Sequence, residues 1–216
     1  MMRYNFDKEL ESLHLNLLQM AGLVEESIES TIEALKKHDV ELAKKVAQGD
    51  NIIDKLEKKI EKQCIDLIAR QQPLAKDLRT ISSVLKIITD LERIADQSAD
   101  IASYTIKMAR EKYIKPIKDI PKMAECTKNM VNRVIDAYIK QDIEEAKAVI
   151  ASDDEVDDLF AKIVQELTVI VKNNPQTVEQ AINLVLIAKY LERMADHTTN
   201  IGEWIIYNVT GEHYKV

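Results

Sequence analysis

The chain has 216 residues, of which 31% are charged and 5% are aromatic, and it contains four glycines and four prolines. So few turn-forming and aromatic residues argue against a protein built from many short strands and favour long helices. The 37 acidic residues exceed the 30 basic ones and give a net charge of −7, which disfavours general nucleic-acid binding.

Cysteine usage and hydropathy narrow the class of protein further. Cys64 and Cys126 are the two cysteines of the sequence, and neither belongs to a CxxC or Cys/His zinc motif. The sequence shows no signal-peptide pattern and no apolar run of roughly 18 residues, the length that spans a bilayer. We therefore expect a cytoplasmic protein without direct membrane insertion.

The first half of the chain is predicted to form three helices. Apolar residues recur at helical spacing from the start, as in Leu10, Leu13 and Leu17. His38-Asp39 offers a cap that ends the first helix. A second helix runs to Gln72-Pro73, where the proline suits the first turn of a third helix, because a missing N–H costs nothing there.

The second half is punctuated in the same way. Lys115-Pro116 marks a loop near the middle of the chain, and Asp142 with Glu145 has the spacing of a capping box. Asn174-Pro175 separates the last two helices, and Gly211 ends the final periodic segment. The pattern predicts an all-α protein with six long helices, most of them roughly 30 to 40 residues if unbroken.

The two halves of the chain are copies of one another. Residues 20–57 align without a gap to residues 123–160, with 13 of 38 positions identical. After the proline turns the offset changes from 103 to 100, and the sequence LERIAD at 91–96 then matches LERMAD at 191–196. A repeat of this length indicates a duplicated domain, here of three helices. The two predicted three-helix bundles cover residues 1–113 and 114–216.

Acidic residues converge at equivalent positions of both repeats. In the first repeat, an antiparallel pairing of the second and third helices about residue 72 places a DxxxD pair beside an ExxxD pair. In the second repeat, a turn near residue 174 produces the same arrangement. The first cluster consists of Asp50, Asp54, Glu92, Asp96 and Asp100. The second cluster consists of Asp153, Asp157, Glu192, Asp196 and Asn200.

Facing carboxylates of this kind favour a metal site. Four ionised groups would repel one another in a partly desolvated groove, and hard divalent or trivalent cations prefer all-oxygen ligands. The alternative is a pair of solvated acidic faces, with Arg93 and Arg193 making surface ion pairs. Gly49-Asp50 also has the pattern of a helix break in which the aspartate caps a new helix.

Other features carry less weight for function. Glu11 and His14 have the spacing of a di-iron helix, but such a core needs two of these motifs. His197 is interpreted as a half-exposed histidine in preference to a ligand or base. The sequence contains no Gly-rich phosphate loop, nucleophile elbow or supported Ser-His-Asp arrangement, so no catalytic residue is predicted.

The first helix suggests an additional contact. Its apolar residues spread beyond one face, which is wider than a three-helix bundle needs. Either the other repeat or another chain would cover that surface. The residues concerned are Leu13, Leu15, Leu17, Leu18, Met20 and Ala21.

The segments LERIAD at 91–96 and LERMADHTTNI at 191–201, within a duplicated helical chain of this length, resemble the PhoU family. The resemblance covers essentially the whole chain and implies two three-helix bundles. PhoU proteins are bacterial regulators of phosphate homeostasis that act with the phosphate ABC transporter and restrain its sensor kinase when phosphate is plentiful. The resemblance thus implies a non-catalytic cytoplasmic regulator that docks on the transporter complex and the sensor histidine kinase, at the inner face of the membrane, with a homodimer expected.

The resemblance to the PhoU family also implies that the two clusters bind metal. Some PhoU proteins bind multinuclear iron or other metals through these motifs, which implies a ligand role for all ten residues of the two clusters. Asp100 departs from the family pattern, where asparagine is common, so the first cluster is more anionic and equal occupancy is not expected. Iron, calcium, manganese and zinc all remain candidates. A metal-dependent enzyme for phosphoester or redox chemistry is the alternative, and a metal-free structural dimer is a third interpretation.

Overall fold

A computed structural model describes residues 2–71, 73–109, 112–114 and 118–214. Within these ranges the chain forms seven α-helices and one short 3-10 helix, without a strand. The helices are α1 (Met2–Lys37), α2 (Val40–Gln71), α3 (Ala75–Met108), α4 (Asp119–Lys140), α5 (Ile143–Ala151), α6 (Asp153–Asn173) and α7 (Val178–Thr210), with the 3-10 helix at Pro175–Thr177. The predicted all-α class and the two repeated helical units are confirmed.

The seventh helix arises because one predicted long helix is interrupted. Together, α5 and α6 correspond to α2 of the first repeat. Between them, the amide and hydroxyl of Ser152 both donate to the carbonyl oxygen of Val149, at 3.0 and 2.6 Å. This i to i−3 bonding tightens one turn and ends the regular α-helical pattern. The break suggested at Gly49-Asp50 is wrong, because α2 continues through it; the interruption lies at Ser152, the counterpart of Gly49.

Other helix boundaries follow the predicted signals. His38 and Gln141, at equivalent positions of the two repeats, adopt left-handed conformations with φ of 53° and 51°. Asp39 and Asp142 then cap the next helices, since each carboxylate accepts a hydrogen bond from the amide three residues later, at 3.0 and 3.1 Å. Gly211 ends α7 with a φ of 80°.

The two bundles pack against each other through two antiparallel helix pairs. Thr80 near the start of α3 donates to Asn208 near the end of α7 at 2.9 Å, and Lys107 near the end of α3 donates to Asn183 at 3.2 Å. A second pair joins α1 to α4, where Nδ1 of His14 lies 2.5 Å from the hydroxyl of Tyr138. One apolar core extends through both bundles.

The wide apolar surface of α1 is covered within the chain. Leu13, Leu17 and Met20 are fully buried, and α1 packs against α2, α3 and α4. Leu15 is the exception, with 62% of its surface exposed. The second contact suggested by the sequence is therefore made by the other repeat.

The connection between the bundles lies between the end of α3 and the start of α4. Tyr113 donates to the carbonyl oxygen of Leu35 at 2.6 Å, and the amide of Ile114 donates to Gln180 at 2.5 Å, so this segment contacts both bundles. Gln72 and Lys115-Pro116, predicted as turn residues, lie outside the described residues. None of the described helices combines the length and apolar character needed to cross a bilayer.

Candidate metal centre

The first carboxylate cluster forms where α2 and α3 run side by side. Asp50 and Asp54 lie one turn apart on α2, and the turn after residue 71 brings Asp96 of α3 against them. One carboxylate oxygen from each of these three residues lies within 4.8 Å of the other two. Oxygen ligands sit about 2.0–2.6 Å from hard cations, so three oxygens at this separation are able to share one ion.

Electrostatics make full ionisation of this cluster unfavourable. Burial, followed by the charges of Asp96 and Asp54, raises the pKa of Asp50 to about 6. Burial and then the charge of Asp96 raise the pKa of Glu92 to about 7, against an opposing effect of Arg93. Both shifts mean that burial and the neighbouring carboxylates outweigh the positive charge within reach, so the ionised forms of Asp50 and Glu92 are disfavoured.

Two carboxylate oxygens of the cluster are also unsatisfied. Oδ1 of Asp50 and Oδ1 of Asp54 are buried and have no hydrogen-bond partner among the described residues. Buried polar atoms normally have a partner, and a coordinated cation would supply one for each of these oxygens. The donor set and its orphaned atoms therefore fit a hard metal ion.

The remaining predicted residues of the first cluster stand at its edge. Arg93 contacts Glu92 at 3.5 Å and Asp96 at 3.3 Å, which are the ion pairs that the alternative of a solvated acidic face predicts. Burial, followed by the charge of the exposed Asp100, raises the pKa of Tyr190 of the second bundle, so Asp100 lies close to the junction between the bundles. Glu92 and Asp100 thus lie outside the closest triad.

The second cluster is looser than the first. Burial, then the charges of Asp157, Asp196 and Glu192, raise the pKa of Asp153 to about 6. Oδ1 of Asp153 is buried without a hydrogen-bond partner in the described part of the chain. Lys189 lies 2.5 Å from the Glu192 carboxylate and neutralises part of the charge. Within the described ranges, no three of these carboxylates approach one another as closely as the first triad.

Asn200 contacts a residue that sequence reasoning missed. Its amide donates to Oδ1 of Asp90 at 3.3 Å, and Nδ1 of His197 lies 2.8 Å from the same oxygen. Asp90 is on α3, so both contacts cross between the bundles. His197, predicted as half-exposed, keeps 20% of its side chain exposed. The repeat alignment gave no signal for Asp90, because its counterpart is Tyr190.

Glu57 is a further acidic residue that the sequence analysis passed over. Burial, followed by the charges of Glu61 and Asp54, raises its pKa, and its own charge contributes to the raised pKa of Glu92. It lies three residues after Asp54, on the same face of α2. That spacing was the available signal, and it extends the first acidic surface by one turn.

Comparison with known proteins places this architecture in a family. The model of the PhoU domain matches the chain twice, over residues 17–105 and 120–205. A Clostridium acetobutylicum protein named phosphate-specific transport system accessory protein PhoU homolog is 40% identical over 98% of this chain and 97% of its own length. An Aquifex aeolicus protein of the same name is 43% identical over 96% of this chain and 94% of its own.

A solved structure gives the same result for the fold. The crystal structure of PhoU from Pseudomonas aeruginosa superimposes with a TM-score of 0.93 at 32% sequence identity, covering 96% of this chain and all of that one. The match therefore includes both bundles and the way they pack together. With two domain matches and near-complete relatives at 40% identity or more, the chain belongs to the PhoU domain family.

Proposed function

We propose that the chain is a non-catalytic accessory regulator of phosphate uptake and of phosphate-starvation signalling. The supporting observation is the near-complete match to relatives named phosphate-specific transport system accessory proteins. In this proposal the protein acts in the cytoplasm, docks on the phosphate ABC transporter and its sensor histidine kinase, and limits signalling when phosphate is abundant. None of these relatives is named as an enzyme, so the enzyme alternative gains no support from them.

Metal binding is the second part of the proposal. We infer that Asp50, Asp54 and Asp96 hold a hard cation, because their oxygens converge and two of them are buried without a partner. The other predicted residues of the first cluster and those of the second cluster complete or repeat the site. A bound cation would neutralise the carboxylates and hold α2 against α3, and α6 against α7, which stabilises the surface offered to partners.

Genetic complementation tests the regulatory part. The chain is expressed in a bacterial strain that lacks its own phosphate-transport accessory protein and carries a phosphate-starvation reporter. In high phosphate we expect the reporter to be repressed and the transporter ATPase to co-purify with the chain. An unrelated helical protein at the same level is the control. A reporter that stays active, although the chain is soluble and abundant, contradicts the proposed function.

A further inference from the structure

An apolar groove runs along the second bundle between the last turns of α6 and the first turns of α7. It encloses about 340 Å³. On its rim Val178 and Ile182 lie one turn apart, and they are 45% and 54% exposed. Contiguous apolar surface of this kind marks interaction sites, whereas isolated exposed residues do not. The lining side chains include Leu167, Val171, Val178, Ile182, Val185 and Leu186.

The first bundle is also apolar at most of the equivalent positions, since Ile68, Leu78 and Leu85 stand where the groove has Val171, Val178 and Val185. The two bundles differ next to the carboxylates, where α2 carries Glu57 and Glu61 at the positions of Phe160 and Val164. In the second bundle the apolar surface of α6 therefore continues toward the carboxylates, whereas acidic residues interrupt it in the first bundle. We attribute this continuity to contact with a partner.

The groove continues directly into the second carboxylate cluster. Residues three or four apart lie on one helix face, so the stripe 178, 182, 185 of α7 leads on to Lys189 and Glu192. Lys189 Nζ lies 5.5 Å from the centre of the Phe160 ring and 2.5 Å from Glu192, which places it between the apolar and the acidic halves.

The charge of the acidic half of this surface determines which partner side chains it can bind. Among the described residues, Lys189 is the one cation paired with this group of four carboxylates, so this half remains net negative even with a divalent ion bound. The surface thus offers apolar contacts near the turn at 175–177 and negative charge toward the middle of the molecule. The four carboxylates are those of Asp153, Asp157, Glu192 and Asp196.

We propose that this surface binds an amphipathic helix of a partner protein, lying parallel to α6, with lysine or arginine in its first turns and apolar residues in its last turns. The positive end of the helix dipole is the N-terminus, which favours placing that end over the carboxylates. From Asp196 to Val178 the groove spans roughly 27 Å, at 1.5 Å per helical residue, and accepts a helix of about 18 residues. Apolar side chains at i, i+4 and i+7 would fill the groove.

Two fluorescent peptides of equal composition test the binding mode in solution. One carries lysines in its first two turns and leucines at i, i+4 and i+7 in its last turns, and the other has the reverse order. We expect the first peptide to bind the full chain at least tenfold more tightly. Equal affinities, or no binding of the first peptide, overturn the proposal.

Matched protein variants locate the peptide. The double variant Val178→Ser with Ile182→Ser should weaken binding of the first peptide at least tenfold, and both side chains are exposed enough for the fold to tolerate serine. Ile52→Ser is the control, because Ile52 is 58% exposed on α2 of the other bundle. Binding that is unchanged in the double variant, or equally weakened by the control, overturns the assignment to this groove.

A photoreactive residue in place of Ile182 identifies the natural occupant in phosphate-replete cells. Mass spectrometry of the cross-linked segment should show another protein, with apolar residues at helical spacing after a basic segment. A second copy of this chain, a segment without that pattern, or no cross-link overturns the proposal.

This inference rests on the proposed accessory function, because a protein without catalysis acts through the partners it binds. The two are nevertheless separable by complementation. If the groove double variant still represses the reporter as the unmodified chain does, the groove proposal fails and the accessory function stands. If the unmodified chain does not repress the reporter, the accessory function itself fails.

Discussion

The two bundles keep their acidic residues in the same register but surround them differently. In the first bundle, Glu57 continues the acidic surface beyond Asp54. In the second, the equivalent position is Phe160, and Lys189 lies across its ring. The duplication has therefore preserved the positions of the carboxylates while their neighbours diverged. The first cluster lies at the centre of an acidic surface. The second cluster lies at the border between an acidic surface and an apolar surface.

The helix break at Ser152 adds to this difference. Because α6 begins at Asp153, that carboxylate lies in a first helical turn, at the positive end of the helix dipole. Asp50 lies in the interior of α2, where no such partial charge is available. The second cluster thus has a helix terminus and Lys189 to offset its charge. If the clusters bind metal as proposed, the first cluster depends more on its cation, so equivalent substitutions in the two clusters should have unequal effects.

The largest effect is expected on metal affinity. The variant Asp50→Asn with Asp96→Asn removes two of the three convergent carboxylates, and we expect Mn²⁺ affinity of the first cluster to fall by about 100-fold. The matched variant Asp153→Asn with Asp196→Asn should cost about tenfold at the second cluster, because its carboxylates converge less closely. Calorimetry and elemental analysis measure both. Equal losses would contradict the difference between the clusters.

A smaller effect is expected on the pH dependence of stability without metal. The pKa values of Asp50, Glu92 and Asp153 are raised to about 6, 7 and 6, above their ordinary values of 3.8, 4.5 and 3.8. Between about pH 4 and pH 7, the folded chain therefore binds more protons than the unfolded chain. Ionisation of these carboxylates lowers the free energy of unfolding. This loss is complete above about pH 7 and disappears as the pH falls toward 4.

Variants assign this pH dependence to the two bundles. From pH 7.5 to 5.5 in a chelator, the wild type should gain about 1–2 kcal/mol of unfolding free energy relative to Asp50→Asn with Glu92→Gln, after allowance for solvent screening. Relative to Asp153→Asn the gain should be smaller, because one group is removed instead of two. Urea unfolding provides the measurement. A wild type that shows no gain over either variant would falsify the raised pKa values.

The register of the carboxylates could be predicted because it depends on helix geometry and on one turn position. The predicted pairing of the second and third helices places the DxxxD pair beside the ExxxD pair, and the structure brings Asp50 against Asp96. The Asp39 and Asp142 caps could be predicted for the same reason, since each acts within three residues of itself. Both the carboxylate register and the helix caps can therefore be predicted from the local periodicity of the sequence.

Contacts between the bundles could not be predicted in this way. The pairing of Asp90 with His197 depends on how α3 crosses α7, and neither residue has the same type at its repeat counterpart. The break at Ser152 was also missed, because serine is a weak helix breaker and α2 continues through the equivalent Gly49. The short helix before the break, α5, packs against α7, and one sequence does not encode such tertiary packing locally.

The crossing of α5 and α7 provides a third test. A Cβ added at Gly202 would lie 3.0 Å from Cγ1 of Ile150 and 3.3 Å from the carbonyl oxygen of Ala146. We expect Gly202→Ala to lower the free energy of unfolding by about 1 kcal/mol, since overpacking outweighs the gain in helix propensity. The first bundle already has alanine at the equivalent position 102, where it is buried. A neutral or stabilising result would mean that the Ile150 side chain moves to accommodate the added Cβ.

The smallest effect is expected at Gly49. A Cβ there would meet nothing within 4 Å, and the residue lies in the interior of α2. Replacing an interior helical glycine by alanine reduces the entropy lost on folding, so Gly49→Ala should stabilise the protein by about 0.5–1 kcal/mol. Gly22→Ala is the matched control, because Gly22 has equally open space within α1.

The comparison with Ser152 gives this test its value. If α2 bent at Gly49 as its repeat counterpart does, alanine would be neutral or destabilising there while Gly22→Ala still stabilised. Mn²⁺ titration of the same variant extends the test to the metal site, since Asp50 directly follows Gly49. Unchanged affinity together with the expected stabilisation means that a continuous α2 already holds Asp50 and Asp54 in place. Weaker binding would mean that the first cluster needs α2 to bend at Gly49, the position at which the second repeat is interrupted.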